Sequence, residues 1–219
     1  GHTPFTALLS FLSVFCAALF GYKNIAFSNE NSANEGNVKY LGTIINHQWS
    51  KSSEFEKMFK GFCEKYLIKN LNYFSYLRNY GELEISKMFV KYPEYFPMFS
   101  SCNVGQKTGE RWCCNCPKCL FVYMTLYPHL NRKELKIIFG KDIFANKKLL
   151  PVMRNILERG RIKPFECVGT KKESLVGFYL ALRSFQRRRV DEKAEIKLPF
   201  LLNYFKKKVL PKYPNLDKE

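Results

Sequence analysis

The chain has 219 residues, 46% of them hydrophobic, and a formal net charge of +17. These values exclude a disordered polar tail, and the length permits one good hydrophobic core or two smaller ones. Most of the positive excess lies after residue 130, which indicates either attraction to polyanions such as nucleic acid or a solvated, lysine-rich surface.

The first predicted element is a helix over TALLSFLSVFCAALFG, residues 6–21. This apolar stretch is too short to cross a bilayer comfortably, and it lacks both a preceding basic region and a small-residue cleavage site. We therefore predict a buried helix and no membrane insertion. The following NIAFS predicts a short buried strand, and a helix followed by a strand indicates a layered α/β domain.

The polar loop FSNENSANEGN, residues 27–37, follows the predicted strand, at the end of a strand where open α/β sheets bind ligands. The carboxylates of Glu30 and Glu35 suit Mg²⁺ or a substrate hydroxyl, and asparagine amides can both donate and accept hydrogen bonds. The same composition also suits a solvated turn. The predicted binding residues of this loop are Ser28, Asn29, Glu30, Glu35 and Asn37.

A second polar stretch, INHQWSKSSEFEKMF, occupies residues 45–59. Ser50 or Ser52 is predicted to cap a helix whose N-terminus offers free amides to an anion. His47 could donate a proton and Trp49 could present a flat surface to a base or sugar, although a structural hydrogen bond for His47 and core packing for Trp49 are the favoured explanations. The predicted binding residues here are Trp49, Ser50 and Lys51.

Five of the eight cysteines lie in SSCNVGQKTGERWCCNCPKC, residues 100–119. Their spacing allows four thiolates to converge on one tetrahedral ion. The predicted metal ligands are Cys102, Cys113, Cys116 and Cys119. Zinc is the favoured occupant, an iron–sulfur cluster is the main rival, and vacant or disulfide-bonded cysteines remain alternatives. A metal site of thiolates indicates a reducing, cytoplasmic compartment.

Two neighbours complete the interpretation of this segment. Cys114 must point away if the cysteines on either side converge, and Pro117 suits the first turn of a helix that carries Cys119.

A zinc site in a basic chain is also typical of a nucleic-acid or partner-binding module. The basic runs at 183–189 and 204–208, on predicted amphipathic helices, would then be its contact surface.

Seven sequence blocks now connect these motifs. In chain order they are GHTPFT, FSNENSANEGN, NHQWSKSSEFE, YFSYLRNYGELEISKMF, YFPMFSSCN, RWCCNCPKCLFV and KPFECVG. In this order they resemble the UDP-N-acetylmuramoyl-L-alanyl-L-glutamate epimerases of bacterial cell-wall synthesis, from residue 1 to about residue 183. The basic tail lies outside the resemblance.

The resemblance implies a fold. The family looks related to the ATP pyrophosphatases, so we expect the C-terminal part of an adenine-nucleotide-hydrolase-like layered α/β fold with a four-cysteine zinc knot and a mainly helical C-terminal region. The expected divisions are an α/β nucleotide- and substrate-binding part over 1–100, the knot and its following helix over 101–130, and a helical basic region over 131–219.

The resemblance also implies an activity: inversion of the terminal L-glutamate of UDP-N-acetylmuramoyl-L-alanyl-L-glutamate to D-glutamate, with ATP split to AMP and pyrophosphate and with Mg²⁺ required. Candidate proton carriers are Cys167 and Glu166 in KPFECVG, with His47 as a third. Neighbouring residues on a strand point apart, so Glu166 and Cys167 are not expected to face one substrate together. Cys167 is favoured, and a merely buried thiol is the alternative.

Two departures from the family pattern limit these expectations. The Ser-Gly-Gly-x-Asp-Ser phosphate loop of ATP pyrophosphatases does not occur in the chain. We expect it upstream of Gly1, so that the chain is the C-terminal part of a longer epimerase. Cys114 stands where the family is expected to have glycine. A nucleobase-modifying enzyme of the ATP pyrophosphatase type remains a further alternative.

Overall fold

The computed structural model describes residues 4–36, 38–158, 164, 166, 168–191 and 197–216. The structure is mixed α/β and mostly helical, and the chain divides into two compact units. Unit 1 comprises residues 1–82 and unit 2 comprises residues 83–219. Within the described ranges, no helix combines the length and the apolar character needed to cross a membrane.

The described residues of unit 1 form two helices and two small sheets. Its elements are α1 (Phe5–Phe20), β1 (Asn24–Phe27), β2 (Val38–Tyr40), β3 (Thr43–Ile45), α2 (Ser53–Tyr66) and β4 (Asn72–Ser75), with short 3₁₀ turns at Asn31–Asn34 and Trp49–Lys51. Strands β1 and β4 pair in parallel, with Phe27 opposite Ser75, whereas β2 and β3 pair antiparallel. The strand predicted after α1 is therefore present, and its carboxyl end lies beside that of β4. The prediction that this strand is buried is wrong, because Ile25 is buried but Asn24 and Ala26 are exposed.

The prediction that α1 is buried is wrong. One narrow face of the helix packs into unit 1 through Ser10, Val14 and Ala17, and the Ser10 hydroxyl lies 2.7 Å from the buried Tyr73 hydroxyl. The other side of the helix exposes large apolar side chains, among them Phe15 at 64% and Leu19 at 65%. A sheet of only two parallel strands offers too little surface to cover a uniformly apolar helix on all sides.

Unit 2 is helical. Its elements are α3 (Glu82–Phe89, beginning at the last residue of unit 1), α4 (Asn103–Thr108), α5 (Pro117–Leu126), α6 (Arg132–Phe139), α7 (Leu150–Leu157), α8 (Lys171–Asp191) and α9 (Phe200–Tyr204). A π-helical turn, Phe205–Val209, continues α9, which confirms the helical prediction for the basic run at 204–208.

Helix α5 forms the centre of unit 2. Leu120 and Met124 on this helix are fully buried, and α8 packs along it at Gly177. A Cβ atom at Gly177 would lie 2.6 Å from the Met124 sulfur, which is far inside ordinary van der Waals contact. Glycine at this position therefore permits the two helices to approach closely, and their packing fixes α5 beside the cysteine segment that precedes it.

Candidate functional site

The polar loop after β1 lies beside the end of β4, because parallel neighbours finish at the same edge of a sheet. The buried Asn29 amide donates to the Ser75 hydroxyl across this edge, at 3.1 Å. This bond joins the ends of the two strands, so the first function of the Asn29 side chain is to fix the loop.

Arg78 connects three segments of unit 1 at the same edge. Its guanidinium donates to the Glu30 carbonyl at 3.0 Å and to the Lys51 carbonyl at 2.7 Å. It also pairs with the Glu56 carboxylate on α2 at 3.2 Å, and both side chains are largely shielded from water. Arg78 thus brings two sequence-predicted binding residues, Glu30 and Lys51, into one cluster through their backbones.

The remaining loop residues lie around this cluster. Ser28 and Glu35 are exposed, and Glu30 is half-buried. Asn37 lies outside the described residues. Within the described ranges, the cysteines discussed below form the single group of three or more His, Cys, Asp or Glu side chains close enough to hold a metal ion. Glu30 and Glu35 therefore do not belong to a ready-made carboxylate cage.

The second predicted stretch forms the turn that leads into α2. Ser52, one of the two predicted caps, accepts a hydrogen bond from the Phe55 amide at 3.1 Å, while Ser50 is buried. The Trp49 indole donates to the Glu54 carboxylate at 2.8 Å and remains 41% exposed, so its ring offers a surface. His47 is half-buried just before this turn.

The four predicted metal ligands come together in unit 2. The sulfurs of Cys102, Cys113, Cys116 and Cys119 all lie within 4.8 Å of one another. The Cys102–Cys116 and Cys113–Cys119 separations are both 3.8 Å, and the Cys116–Cys119 separation is 3.4 Å. These distances are far longer than a disulfide bond. The prediction of a four-cysteine group that could hold a metal ion is confirmed.

Local backbone geometry holds these sulfurs in place. Pro117 begins α5 as predicted, and the Cys119 amide donates to the Cys116 sulfur at 3.4 Å. The Gly105 amide donates to the Cys102 sulfur at 3.1 Å. A Cβ atom at Gly105 would collide with the Glu110 carbonyl oxygen, so glycine allows α4 to lie against the returning chain.

Hydrogen bonds and burial divide the ionisation of these thiols unequally. The hydrogen bond between the Cys116 and Cys119 sulfurs lowers the pKa of Cys116 to about 5. The same bond raises the pKa of Cys119, and burial raises the pKa of Cys113 to about 11. Of these three thiols, Cys116 therefore loses its proton most readily. A bound cation is needed before all four sulfurs can be deprotonated together.

Cys114 points away from the group, as predicted. Its thiol donates to the Phe139 carbonyl at 3.3 Å, and its sulfur is not one of the four that come together. Its φ angle of +53° lies in the left-handed region that glycine adopts most easily. The expectation of glycine at this position of the family therefore has a conformational reason.

Glu166 lies next to the cysteine group. The Lys118 amide, in the first turn of α5, donates to the Glu166 carboxylate at 3.2 Å. Burial raises the pKa of the Glu166 carboxyl, and the nearby Cys116 raises it further. Cys167 lies outside the described residues. The structure thus places His47 in unit 1 and Glu166 in unit 2.

Sequence analysis missed several residues of the strand-end cluster, namely Arg78, Glu56 and Ser75. The signal for Arg78 was a single arginine among apolar and aromatic residues in YFSYLRNY, a block in which no strand was predicted. A charged side chain that follows a buried strand needs a partner, but the partners are 22 to 48 residues away along the chain, where local patterns do not identify them.

Comparisons with known proteins match most of the chain. The MurL N-terminal domain matches residues 1–76, and the MurL C-terminal domain matches residues 98–197. The C-terminal match contains the four-cysteine group. No solved structure matches the chain significantly.

Three curated relatives carry the name UDP-N-acetyl-alpha-D-muramoyl-L-alanyl-L-glutamate epimerase. The Salinispora tropica protein is 39% identical over 82% of this chain and 40% of its own length. The Micromonospora protein is 38% identical over 86% of this chain and 43% of its own length. The Xanthomonas oryzae protein is 39% identical over 80% of this chain and 40% of its own length.

The chain therefore spans less than half the length of the curated relatives it matches. The two domain matches follow each other in the chain without overlapping; the first includes Glu30, Lys51 and Glu56 of the strand-end cluster but ends before Arg78, and the second includes the four-cysteine group. By these matches, the chain belongs to the MurL family.

Proposed function

We propose that the protein acts in the epimerisation of the terminal L-glutamate of UDP-N-acetylmuramoyl-L-alanyl-L-glutamate to D-glutamate, a step in peptidoglycan precursor synthesis. The observation that carries this proposal is the pair of MurL domain matches, together with the shared name of the three relatives. Family membership favours this enzyme over a nucleic-acid-binding module or a nucleobase-modifying enzyme.

Epimerisation at this carbon requires activation of the neighbouring carboxylate. Removing the Cα proton beside an ionised carboxylate would place two negative charges on adjacent groups, so the carbon acid is very weak. ATP, bound with Mg²⁺, would supply adenylation of that carboxylate with release of pyrophosphate. Once the carboxylate charge is removed, a side-chain base can take the Cα proton, and an acid on the opposite face can return one.

Three residues are proposed as proton carriers: Cys167, Glu166 and His47. Burial supports Glu166, since a carboxyl whose pKa is raised exchanges protons more readily near neutral pH. Its carboxylate is also held in a defined position by the Lys118 amide. Cys167 remains the favoured base from the sequence, and His47 the third candidate.

Zinc is the proposed occupant of the four-cysteine group. Zinc–sulfur bonds of about 2.3 Å at tetrahedral angles put neighbouring sulfurs about 3.8 Å apart, and two of the sulfur pairs lie 3.8 Å apart. In an iron–sulfur cluster the cysteines bind different irons and stand further apart than around a single ion. The spacing therefore favours one ion with a structural role, bracing α4 against the start of α5.

Substrate or nucleotide is proposed to contact the strand-end cluster of unit 1. The proposed contacts are Ser28, Asn29, Glu30, Glu35, Asn37, Trp49, Ser50 and Lys51. The exposed indole of Trp49 supports this proposal, and so does the position of the loop at the carboxyl ends of two parallel strands. Mg²⁺ needs only one or two carboxylates in addition to phosphate oxygens, which Glu30 and Glu35 can provide.

The test uses the chain as it stands and a chimera in which it replaces the matching segment of the Xanthomonas oryzae relative. Each protein is incubated with ATP, Mg²⁺ and UDP-N-acetylmuramoyl-L-alanyl-L-glutamate in heavy water, and AMP, glutamate chirality and deuterium at Cα are measured together. We expect the chimera to form D-glutamate that carries deuterium, with AMP released alongside.

Variants of the chimera then separate the proton carriers. Cys167→Ser, Glu166→Gln and His47→Gln remove one candidate each, and a true carrier should lose at least a hundredfold in kcat while keeping substrate binding. A chimera that is folded and zinc-loaded, yet yields neither deuterium exchange nor AMP under conditions where the Xanthomonas protein is active, would contradict the proposal.

A further inference from the structure

Unit 2 contains a cavity of about 370 Å³ that lies away from the cysteine sulfurs. It is bounded by α5, by α6 and by the chain from Lys197 to Pro199. We call it the basic cavity, and its principal lining residues are Tyr123, Tyr127, Arg132, Lys136, Lys141 and Lys197. None of these residues was singled out by the sequence motifs.

The charge of the lining is strongly positive. Four of its residues are cations, and the one carboxylate, Asp142, is already engaged by the Tyr123 hydroxyl and the Phe144 amide, each at 2.9 Å. Among the residues that the structure describes, none of the four cations forms a salt bridge. The cavity thus presents concentrated positive charge to an anionic ligand.

The aromatic side of the cavity is held in position by its neighbours. The Tyr123 and Tyr127 rings lie 5.7 Å apart, and Asp142 fixes the Tyr123 hydroxyl. Arg188 lies 4.7 Å from the Tyr127 ring centre and donates to the Tyr127 and Leu130 carbonyls. These contacts order the wall before any ligand arrives, which lowers the entropy lost on binding.

Helix α6 carries two of the positively charged side chains that line the cavity, at a fixed spacing. Arg132 and Lys136 stand one turn apart on one face of the helix. Gly140 ends the helix at a φ of +76°, and Lys141, the next residue, lines the same cavity. Two phosphate groups can therefore meet separate cations, while the Tyr123 and Tyr127 rings, only 2% and 4% exposed, form the buried floor of the cavity.

We propose that the basic cavity binds the nucleoside diphosphate part of a ligand. Its volume is within the range of small-molecule sites, and several cations around an apolar floor suit phosphates that are linked to a less polar group. This inference rests on the proposed function for its choice of ligands, because both the UDP-linked dipeptide and ATP contain this chemistry. All the principal lining residues lie within the match to the MurL C-terminal domain.

Calorimetric titration of the 219-residue chain with UDP, ADP and pyrophosphate tests the proposal. The double variant Lys136→Gln/Lys141→Gln should bind the preferred nucleotide at least tenfold more weakly. Lys133→Gln on the exposed part of α6 is the matched control and should stay within twofold of the unchanged chain. Circular dichroism of each variant verifies that α6 remains folded.

UDP and ADP distinguish the two possible sources of the nucleoside diphosphate. Tighter binding of UDP than ADP assigns the cavity to the sugar nucleotide, and the reverse order assigns it to the adenine nucleotide. Pyrophosphate that binds as tightly as both nucleotides would overturn the inference, since the nucleoside would then contribute nothing to the affinity. A folded double variant with unchanged nucleotide affinity would overturn it as well.

The binding measurement is independent of turnover. A chimera that epimerises glutamate although the double variant keeps its nucleotide affinity would refute the cavity assignment alone. Cavity-dependent nucleotide binding without any epimerisation by the chimera would refute the proposed activity alone.

Discussion

At the scale of single residues, Arg78 connects separate segments of unit 1. Its guanidinium joins the loop after β1, the turn before α2, and the end of β4. Arg78→Ala should lower the free energy of unfolding of unit 1 by about 2–3 kcal/mol, because two carbonyls and the shielded Glu56 carboxylate lose their donor.

Urea unfolding followed through Trp49 fluorescence measures this change. Lys57→Ala, an exposed cation on α2, is the matched control and should shift the unfolding free energy by less than about 0.5 kcal/mol. Equal midpoints for the Arg78 and Lys57 variants would show that the hydrogen bonds of Arg78 add nothing net to stability.

The adjacent residues Cys113 and Cys114 make a second pair of contrasting substitutions. Cys113→Ser removes one of four sulfur ligands, so the purified protein should hold far less zinc. Cys114→Ser should retain a full equivalent, because this side chain points at the Phe139 carbonyl and serine keeps a donor there. Zinc content is measured by plasma emission spectrometry, and equal losses in the two variants would refute the assignment of ligands.

At the scale of elements, the start of α6 is fixed by a reciprocal cap. The Asn131 side chain accepts from the Lys133 and Glu134 amides, and the Glu134 carboxylate accepts from the Asn131 amide at 2.7 Å. Asn131→Ala should therefore cost about 1 kcal/mol of unit 2 stability. Trp112 reports the transition, because its ring lies 4.7 Å from Phe139 on α6.

Asn131→Asp is the control for the cap. Aspartate caps helices about as well as asparagine, so this variant should unfold with nearly the same midpoint as the unchanged chain. If both substitutions destabilise α6 equally, the stabilisation comes from something other than the side-chain cap.

Elements decided by nearby residues were predictable from the sequence. The strand after α1, the serine cap of α2 and the proline at the start of α5 each depend on contacts within a few positions. The four sulfurs were predictable for the same reason, since ligand spacing is a local property. The layered fold of ATP pyrophosphatases stays a prediction for this chain.

Features decided by distant residues were not predictable. The apolar composition of residues 6–21 correctly predicted a helix. The burial of that helix was not predictable, because it depends on how much apolar surface the rest of unit 1 offers. Arg78 was missed because its partners come from three separate segments. The basic cavity was missed because its lining residues, such as Tyr123 and Lys197, lie far apart in sequence and line one cavity only in the folded chain.

At the scale of the whole molecule, each unit contains one of the two tryptophans, Trp49 in unit 1 and Trp112 in unit 2. Metal binding and folding are coupled in four-cysteine sites. A chelator should therefore lower the thermal midpoint of unit 2 and move Trp112 emission to longer wavelength, because the buried indole next to Cys113 becomes exposed to water.

Single-tryptophan variants assign the change to a unit. With Trp49→Phe, the remaining Trp112 should show the full red shift on chelation, and added zinc should reverse it. With Trp112→Phe, the emission of Trp49 should stay constant below the melting temperature. A chelator that leaves Trp112 emission and the midpoint of unit 2 unchanged would contradict a structural role for the metal.

The outward side of α1 also determines how the protein behaves at surfaces. Its row of exposed phenylalanine and leucine side chains, on a chain that is otherwise rich in charge, gives the molecule the character of an amphiphile. Fully burying one such side chain is worth roughly 1.5–3 kcal/mol, and an air–water or plastic interface offers part of that gain. Dilute solutions should therefore lose protein to vessel walls and foam, and a trace of nonionic detergent should prevent the loss.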